Sequence, residues 1–327
     1  MLLSLAVVPI AAPAQRAFDA VQRIEIQAQA IDSFDPREPA RTRFGALAFR
    51  GGLVLNSPAR EFGGVSALRV AADGQRFLSV TDKGNWLRGR IVYRDGRPIA
   101  IADAEMAPIL GPDGRPINRR GWYDTESLST DSGIVEVGIE RVNEILRFDY
   151  GKDGLRARGT PVAVPPAVRT LPRNQGLECL VSGPRTGPLA GTLIAISERG
   201  LDAHGNILGF LIGGAGGTFT VKRSDEFDVT DCAITPRGDL LVLERRFSWA
   251  RGVAMRIRGM PLAALKPGAL LEGAELIVAD MNHQIDNMEG LSVHRAADGT
   301  LVLTLISDDN FSALQRTVLL QFALPAE

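Results

Sequence analysis

The chain repeats one sequence pattern five times, and no other feature restricts its fold as strongly. Each copy begins with an acidic residue, or Ser in the first copy, followed by a small and an aliphatic residue. It then passes through a turn rich in Gly, Asp and Pro and ends with an apolar run and a second acidic residue. The first acidic position is aligned at Ser66, Glu126, Glu178, Asp231 and Glu289, and the second at Asp82, Glu140, Glu198, Glu244 and Asp308. Regular repetition of this kind indicates a propeller, a solenoid or an array.

Further apolar and β-branched runs lie between the copies and are bounded by Gly, Pro and Asp, which is the pattern of β-strands. No segment keeps a 3.6-residue apolar period over the length of a helix. About four strands per repeat is the content of a propeller blade. The sequence therefore predicts an all-β protein, a single β-propeller over residues 15–327 with five four-stranded blades, or six if residues 20–60 form another. We expect the strand-like N-terminal segments to complete the last blade and close the ring.

One small residue follows the first acidic position in every copy, where the innermost strands of a propeller crowd together. The alignment places it at Ala67, Ser127, Cys179, Cys232 and Gly290. Because the two cysteines then occupy the same position in successive copies, we expect buried thiols, although an exported protein could join them.

Residues 1–14 form a short apolar run that ends in Ala12-Pro13-Ala14, a small-x-small cleavage pattern. The run is shorter than the ~20 apolar residues of a membrane span, and it has no basic residue ahead of it. We expect a late start or a truncated leader, a soluble mature chain beginning near Gln15, and a periplasmic or secreted location.

The net charge of the chain and its basic residues exclude some partners and suggest others. The net charge of −1 gives no electrostatic footprint for nucleic acid or an anionic membrane, and aromatic residues are too scattered for a base-stacking surface. Of the 37 basic residues 33 are arginine, a side chain that binds carboxylate and phosphate in two-pronged fashion. Basic residues directly follow the second acidic position in four copies: Lys83, Arg141, Arg199 and Arg245.

Four segments together resemble the phytase-like family, also described by the phrase "esterase-like activity of phytase". The segments are Phe62-Gly63-Gly64-Val65-Ser66-Ala67-Leu68, Ser79-Val80-Thr81-Asp82-Lys83-Gly84, Asp124-Thr125-Glu126-Ser127-Leu128 and Asn287-Met288-Glu289-Gly290-Leu291-Ser292. The similarity covers about residues 60–322. It implies an exported bacterial propeller and, more loosely, a hydrolase.

Carboxylates at equivalent positions of every blade would project into the central channel, where close like charges need neutralising. Bound calcium would do so, since it takes roughly 6–8 oxygen ligands. We predict a calcium-assisted hydrolase of a small phosphoester or other anionic ester. The candidate catalytic residues are Glu289, Glu126 and Glu178. The candidate substrate-binding residues are Arg141, Arg199, Arg245, Lys83 and His283. The candidate metal ligands are Asp82, Asp231, Asp308 and Asp309, with the metal expected near Asp308 and Asp309 beside Asp82.

Three alternatives stay open at this point. The acidic and basic residues could pair only to hold neighbouring blades together, since ion-pair networks perturb titration as catalytic sites do. The chain could be a calcium-dependent lactonase-type propeller, or a non-catalytic module that binds a ligand or an envelope protein. A serine esterase is disfavoured, because Gly64-Val65-Ser66-Ala67-Leu68 lacks the last glycine of the nucleophile elbow.

Overall fold

A computed structural model describes residues 20–325; the leader-like residues 1–14 lie outside this range. The regular secondary structure of the described residues is mainly β-strand. The first eight are β1 (Gln22–Arg23), β2 (Gln27–Ile31), β3 (Arg43–Phe44), β4 (Leu47–Asn56), β5 (Val65–Val70), β6 (Arg76–Thr81), β7 (Asn85–Arg94) and β8 (Arg97–Pro108). The next eight are β9 (Thr125–Asp131), β10 (Ile134–Ile139), β11 (Glu144–Asp149), β12 (Thr160–Pro161), β13 (Leu177–Ser182), β14 (Thr192–Leu201), β15 (Ile207–Gly213) and β16 (Gly217–Val221). The last eight are β17 (Asp228–Ile234), β18 (Asp239–Ser248), β19 (Gly252–Pro261), β20 (Leu270–Leu271), β21 (Ala274–Asp280), β22 (Asn287–Arg295), β23 (Leu301–Asp308) and β24 (Thr317–Leu324).

Helical structure in the described chain is limited to single turns. The α-helices are α1 (Tyr150–Asp153) and α2 (Pro166–Arg169), and the 3₁₀ turns are Ile117–Arg120, Glu140–Val142, Gly154–Arg156 and Leu262–Ala264. Within residues 20–325 no helix has the length and apolar character needed to span a membrane.

The strands form five sheets, and the prediction of a five-bladed β-propeller is confirmed. The sheet orders from the inside out are β5-β6-β7-β8-β1, β9-β10-β11-β12, β13-β14-β15-β16-β20, β17-β18-β19-β21 and β22-β23-β24-β4-β2. The innermost strands β5, β9, β13, β17 and β22 contact one another in that order around the axis. The alternative of a sixth blade is wrong, because the N-terminal strands join existing sheets: β1 lies outside β8, and β4 pairs antiparallel with β24.

Every innermost strand carries a β-bulge near its start, so that one residue has no partner across the ladder. The unpaired residues are Ser66, Glu126, Glu178, Thr230 and Glu289. In the fourth blade the register is therefore one residue away from the sequence alignment. Asp231 pairs with Leu243 and takes the place expected for the small residue. Arg245 pairs with Asp228 and takes the place where other blades have their second acid.

This shift also explains why the prediction of two buried thiols is wrong. Cys179 and Cys232 form a disulfide with a Cα–Cα separation of 5.3 Å, inside the range that a bridge can span. Successive residues of a strand point to opposite faces. Because Cys232 is one residue beyond the position equivalent to Cys179, its side chain faces the third blade instead of turning away from it.

The core consists of apolar layers between adjacent blades. Trp86, on β7, packs edge-on against Phe148 of the second blade with ring centroids 5.1 Å apart. Phe34, in the loop before β3, packs in the same way against Phe322 of β24 at 5.0 Å. All four side chains are fully buried. The first pair links the first and second blades, and the second pair holds the loop between β2 and β3 on the fifth blade.

Candidate functional site

The two acidic positions of the repeat meet at one end of the propeller. In each blade the innermost strand starts where the second strand ends, because the two are antiparallel. Backbone hydrogen bonds close this end: Asp82 N donates to Gly64 O at 2.9 Å, and Glu198 N donates to Gly176 O at 2.8 Å. The bulge directs its unpaired side chain toward the axis.

Seven carboxylates gather at this end, and we call them the axial cluster: Asp82, Glu126, Glu140, Glu178, Glu198, Glu289 and Asp308. Glu178 and Asp308 are buried, whereas Glu126 keeps partial exposure to the axial opening. Every blade but the fourth contributes at least one member. The fourth blade has Thr230 at the bulge and Arg245 in the second position, which breaks the symmetry of the ring.

Burial is the main influence on these carboxyl groups, and their mutual repulsion adds to it. Burial followed by repulsion from Asp82 and Glu140 raises the pKa of Glu126 well above its ordinary value. Burial and then Glu126 do the same to the pKa of Glu178. Burial raises the pKa of Asp308 to about 9, with Asp82 adding to the shift. The cluster thus favours uptake of protons or of other cations.

Arg245 is the one arginine within residues 20–325 that pairs with the axial cluster. Its Nε lies 3.1 Å from Glu289 Oε1, and its Nη2 lies 3.3 Å from Glu198 Oε1. Burial raises the pKa of Glu289 to about 8, although Arg245 acts in the opposite direction. Arg245 contacts two of the seven carboxyl groups, and the other five have no ion-pair partner within residues 20–325.

Three cluster members lie close enough to share a metal ion. One carboxylate oxygen from each of Glu140, Glu178 and Glu198 lies within 4.8 Å of the other two. Glu140 also accepts a hydrogen bond from Gly176 N at 2.6 Å, which fixes its orientation. Glu178 makes no hydrogen bond or ion pair within the described chain, so its oxygens are available. An all-oxygen donor set of this kind fits a hard cation such as calcium.

Three of the basic residues predicted to hold substrate make no ion pair with the axial cluster and have other partners within residues 20–325; Arg245 is the exception. The Lys83 ammonium lies 3.1 Å from the ring centroid of Phe311, and the Arg141 guanidinium lies 4.9 Å from that of Tyr123. Arg199 is paired with Asp228, at 2.9 Å from Nε to Oδ2.

Asp309 shapes the rim beside Lys83. Its carboxylate accepts hydrogen bonds from Gly64 N at 2.9 Å, from Phe311 N at 3.0 Å and from Thr317 Oγ1 at 3.0 Å. Its oxygens thus hold the loop between β23 and β24 in place. Its predicted neighbour Asp82 accepts a hydrogen bond from Ser66 Oγ.

Asp231 does not belong to the axial cluster, and its assignment as a metal ligand is wrong. It is fully buried, and its oxygens bind Arg69 Nη1 at 2.8 Å and Nη2 at 2.9 Å. They also accept from the backbone N–H groups of Cys232 and Leu291, both at 2.7 Å. All of its acceptor capacity is used inside the protein.

His283 also lies away from the channel, so its predicted contact with substrate is wrong. Its ring packs against Phe34 at 5.0 Å and Phe44 at 5.8 Å, and its Nδ1 lies 3.2 Å from Asp280 Oδ1. These contacts place it between the outer strands of the fourth and fifth blades.

The sequence reasoning assigned no role to three acids that the structure brings to the pocket: Glu140, Glu198 and Asp124. The first two occupy the second acidic position of the repeat, and that shared position was the signal for them. Asp124 precedes β9 with a left-handed φ of 59° and donates its N–H to Asp82 O at 2.7 Å. Burial raises its pKa.

Comparison with known proteins gives a family match and distant structural matches. The model of the phytase-like family, described as "Esterase-like activity of phytase", matches residues 60–311. A search of curated proteins finds no significant match.

Similar solved structures include glutaminyl cyclase from Myxococcus xanthus, with 11% identity and a TM-score of 0.41 over 80% of this chain and 90% of that chain. The PQQ-bound aldose sugar dehydrogenase from Streptomyces coelicolor has 12% identity and a TM-score of 0.41 over 83% and 97%. A hypothetical protein from Leishmania major has 7% identity and a TM-score of 0.44 over 81% and 86%. At these values the matches carry no argument about function.

Proposed function

Because the chain belongs to the phytase-like family, we propose that it is an exported, calcium-assisted hydrolase of a phosphoester or another anionic ester. The observation that carries this proposal is the charge imbalance of the axial cluster, in which seven carboxylates face Arg245. A cluster built only to link blades would pair its charges within the protein, as Asp231 and Arg69 do. Glu126 and Glu178 instead have no hydrogen bond or ion pair within residues 20–325.

Glu140, Glu178 and Glu198 would hold the cation, because their oxygens lie within 4.8 Å of one another. Calcium held by these three residues would supply positive charge for a phosphoryl oxygen and for the attacking water molecule. Arg245 lies beside the same carboxylates and would bind a second oxygen of the anionic substrate. Lys83 at the rim would draw the anion toward the pocket.

Glu126 is the best placed proton acceptor. It is partly exposed to the axial opening, and no protein group within the described chain occupies its oxygens. Burial raises its pKa, which makes it a stronger base than an ordinary carboxylate. Glu289, by contrast, is paired with Arg245 at 3.1 Å and would position that arginine.

Export is part of the proposal and has one supporting observation beyond the leader-like residues 1–14. The Cys179–Cys232 disulfide suits an oxidising compartment such as the periplasm or the cell exterior.

The test is phosphate release from phytate and from simple phosphomonoesters by the mature chain, across a calcium titration with a chelator control. We expect calcium-dependent turnover that falls at least tenfold in Glu178→Gln. The matched control is Glu275→Gln, which should retain full activity. Glu275 is exposed on β21, the outermost strand of the fourth blade.

Two results would contradict parts of this proposal. Equal turnover by Glu178→Gln and the parent chain would show that the axial cluster takes no part in catalysis. No turnover of any ester, with calcium still raising the melting temperature, would make the protein a binding module instead of a hydrolase.

A further inference from the structure

A second cavity opens at the opposite end of the propeller, between the first and second blades. Its volume is about 1010 Å³, at the upper limit of pockets that hold small organic ligands. β5 begins at the axial cluster with Val65 and reaches this cavity at Arg69 and Val70, so the two sites lie at opposite ends of the same strand.

One wall is the face of the first blade, and it is unusually rich in arginine. The ladder register places Arg69, Leu78, Arg88, Glu105 and Arg23 directly beside one another across all five strands. In the adjacent row, Arg76 of β6 lies opposite Arg90 of β7. Like charges directly opposite each other in a sheet are destabilising, so this pair needs negative charge nearby.

The carboxylates of this wall satisfy the arginines only in part. Glu105 binds Arg88 through Nε at 2.8 Å and Nη2 at 2.6 Å. Arg90 uses only its Nε, at 3.0 Å from Asp103 Oδ2, and Arg76 only its Nε, at 2.7 Å from Asp73 Oδ2, within residues 20–325. The terminal amino groups of Arg76 and Arg90 thus remain available for a two-pronged contact with an anion.

Part of the remaining lining is apolar, beside the polar side chains of Glu105, Asp131 and Ser132. Leu78 of the first blade and Val135 of the second belong to the buried layer between these two blades, and Tyr150 packs against the same layer. Thr130, which pairs with Val135 in the ladder, is exposed and lies on the second wall of the cavity. The arginine row thus borders an apolar floor.

We propose that this cavity binds an amphipathic organic anion, with its charged group on Arg76 and Arg90 and its apolar body against Leu78, Val135 and Tyr150. The anionic group would be a carboxylate or a phosphate, since both match the geometry of a guanidinium. The site is separate from the axial cluster and does not require calcium.

The test uses two probes with the same aromatic scaffold, 1-anilinonaphthalene-8-sulfonate and its uncharged analogue N-phenyl-1-naphthylamine, with fluorescence as the readout. We expect one saturable site for the sulfonate and at least tenfold weaker binding of the uncharged analogue. Arg90→Ala should weaken binding of the sulfonate about tenfold. Arg94 is exposed on the same strand and lies outside the cavity, so Arg94→Ala should leave binding unchanged. Thr130→Trp should weaken binding of the sulfonate by occupying part of the cavity, with the melting temperature unchanged. Equal binding of the two probes, or equal effects of Arg90→Ala and Arg94→Ala, would overturn the proposal.

Displacement of the bound sulfonate then identifies the anionic group. Decanoate and decyl phosphate are titrated separately with a chelator present, and the stronger competitor shows which group the arginines prefer. Competition by neither would overturn the proposal. Because the measurement needs neither turnover nor calcium, its outcome is independent of the hydrolase test.

Discussion

Two groups of buried charges along the propeller axis differ in how completely they are paired. Below the axial cluster, Asp231 is matched by Arg69, whose guanidinium also donates to Leu180 O at 2.8 Å and Leu291 O at 2.9 Å. In the cluster itself, among the described residues, Arg245 pairs with Glu198 and Glu289 only. The first arrangement is complete inside the protein and links four blades. The second is incomplete, and this difference separates a structural ion pair from a binding site.

The largest effect should come from breaking the complete pair. Asp231→Asn leaves the Arg69 guanidinium buried without a counter-charge, and we expect a loss of about 3–5 kcal/mol in the free energy of unfolding. Chemical denaturation of the variant and the parent chain measures this. The double variant Asp231→Leu/Arg69→Met leaves no buried charge unpaired, so it should lose less of the free energy of unfolding than Asp231→Asn. A variant as stable as the parent would show that the pair does not hold the blades.

The disulfide next to Asp231 should have the second largest effect. Cys179→Ala/Cys232→Ala removes a link between the third and fourth blades, and we expect a loss of about 2–4 kcal/mol. A reductant should lower the free energy of unfolding of the parent chain by the same amount, and should lower its denaturation midpoint accordingly. A reductant that lowers the midpoint of the double variant as well would contradict this explanation, because no disulfide remains there.

The incomplete end should make stability fall between pH 5 and pH 9 without calcium, by at least about 2 kcal/mol. Burial first, then neighbouring carboxylates, raise the pKa of Glu289 to about 8 and of Asp308 to about 9. Burial raises the pKa of Glu140 to about 7. An acid with a raised pKa binds its proton more tightly in the folded chain, so its stabilisation is present below the unfolded pKa near 4 and is lost as the pH rises through the folded value.

Melting temperatures across this range with a chelator measure the slope, and added calcium should restore stability at pH 9. Glu178→Gln should flatten the slope and reduce the calcium response. If the melting temperature of the metal-free chain rose with pH, the carboxylates would have partners that this account does not include.

The sequence predicts the blade number and most of the cluster, because four of the five copies align without ambiguity. The fourth does not, since Val229-Thr230-Asp231-Cys232 offers an acid before a small residue as the other copies do. Only the ladder register shows that Thr230 is at the bulge. The errors for Asp231 and the cysteines both follow from this single slip, because one residue reverses the face of a strand.

His283 could not be placed for a different reason. It follows β21 in a loop without a repeat equivalent, so its direction depends on packing against Phe34 and Phe44, which are distant in sequence. The arginine wall of the second cavity was likewise invisible, because the alignment of Arg76 with Arg90 depends on the register between strands.

The bulge at the start of each innermost strand has a consequence for how such a protein can evolve. Its residue is the one position of that strand without a ladder partner, so its side chain can change while the neighbouring strand pairing stays intact. The five copies already differ there, with Ser66, Glu126, Glu178, Thr230 and Glu289. Selection can therefore retune the pocket one blade at a time and leave the scaffold unchanged.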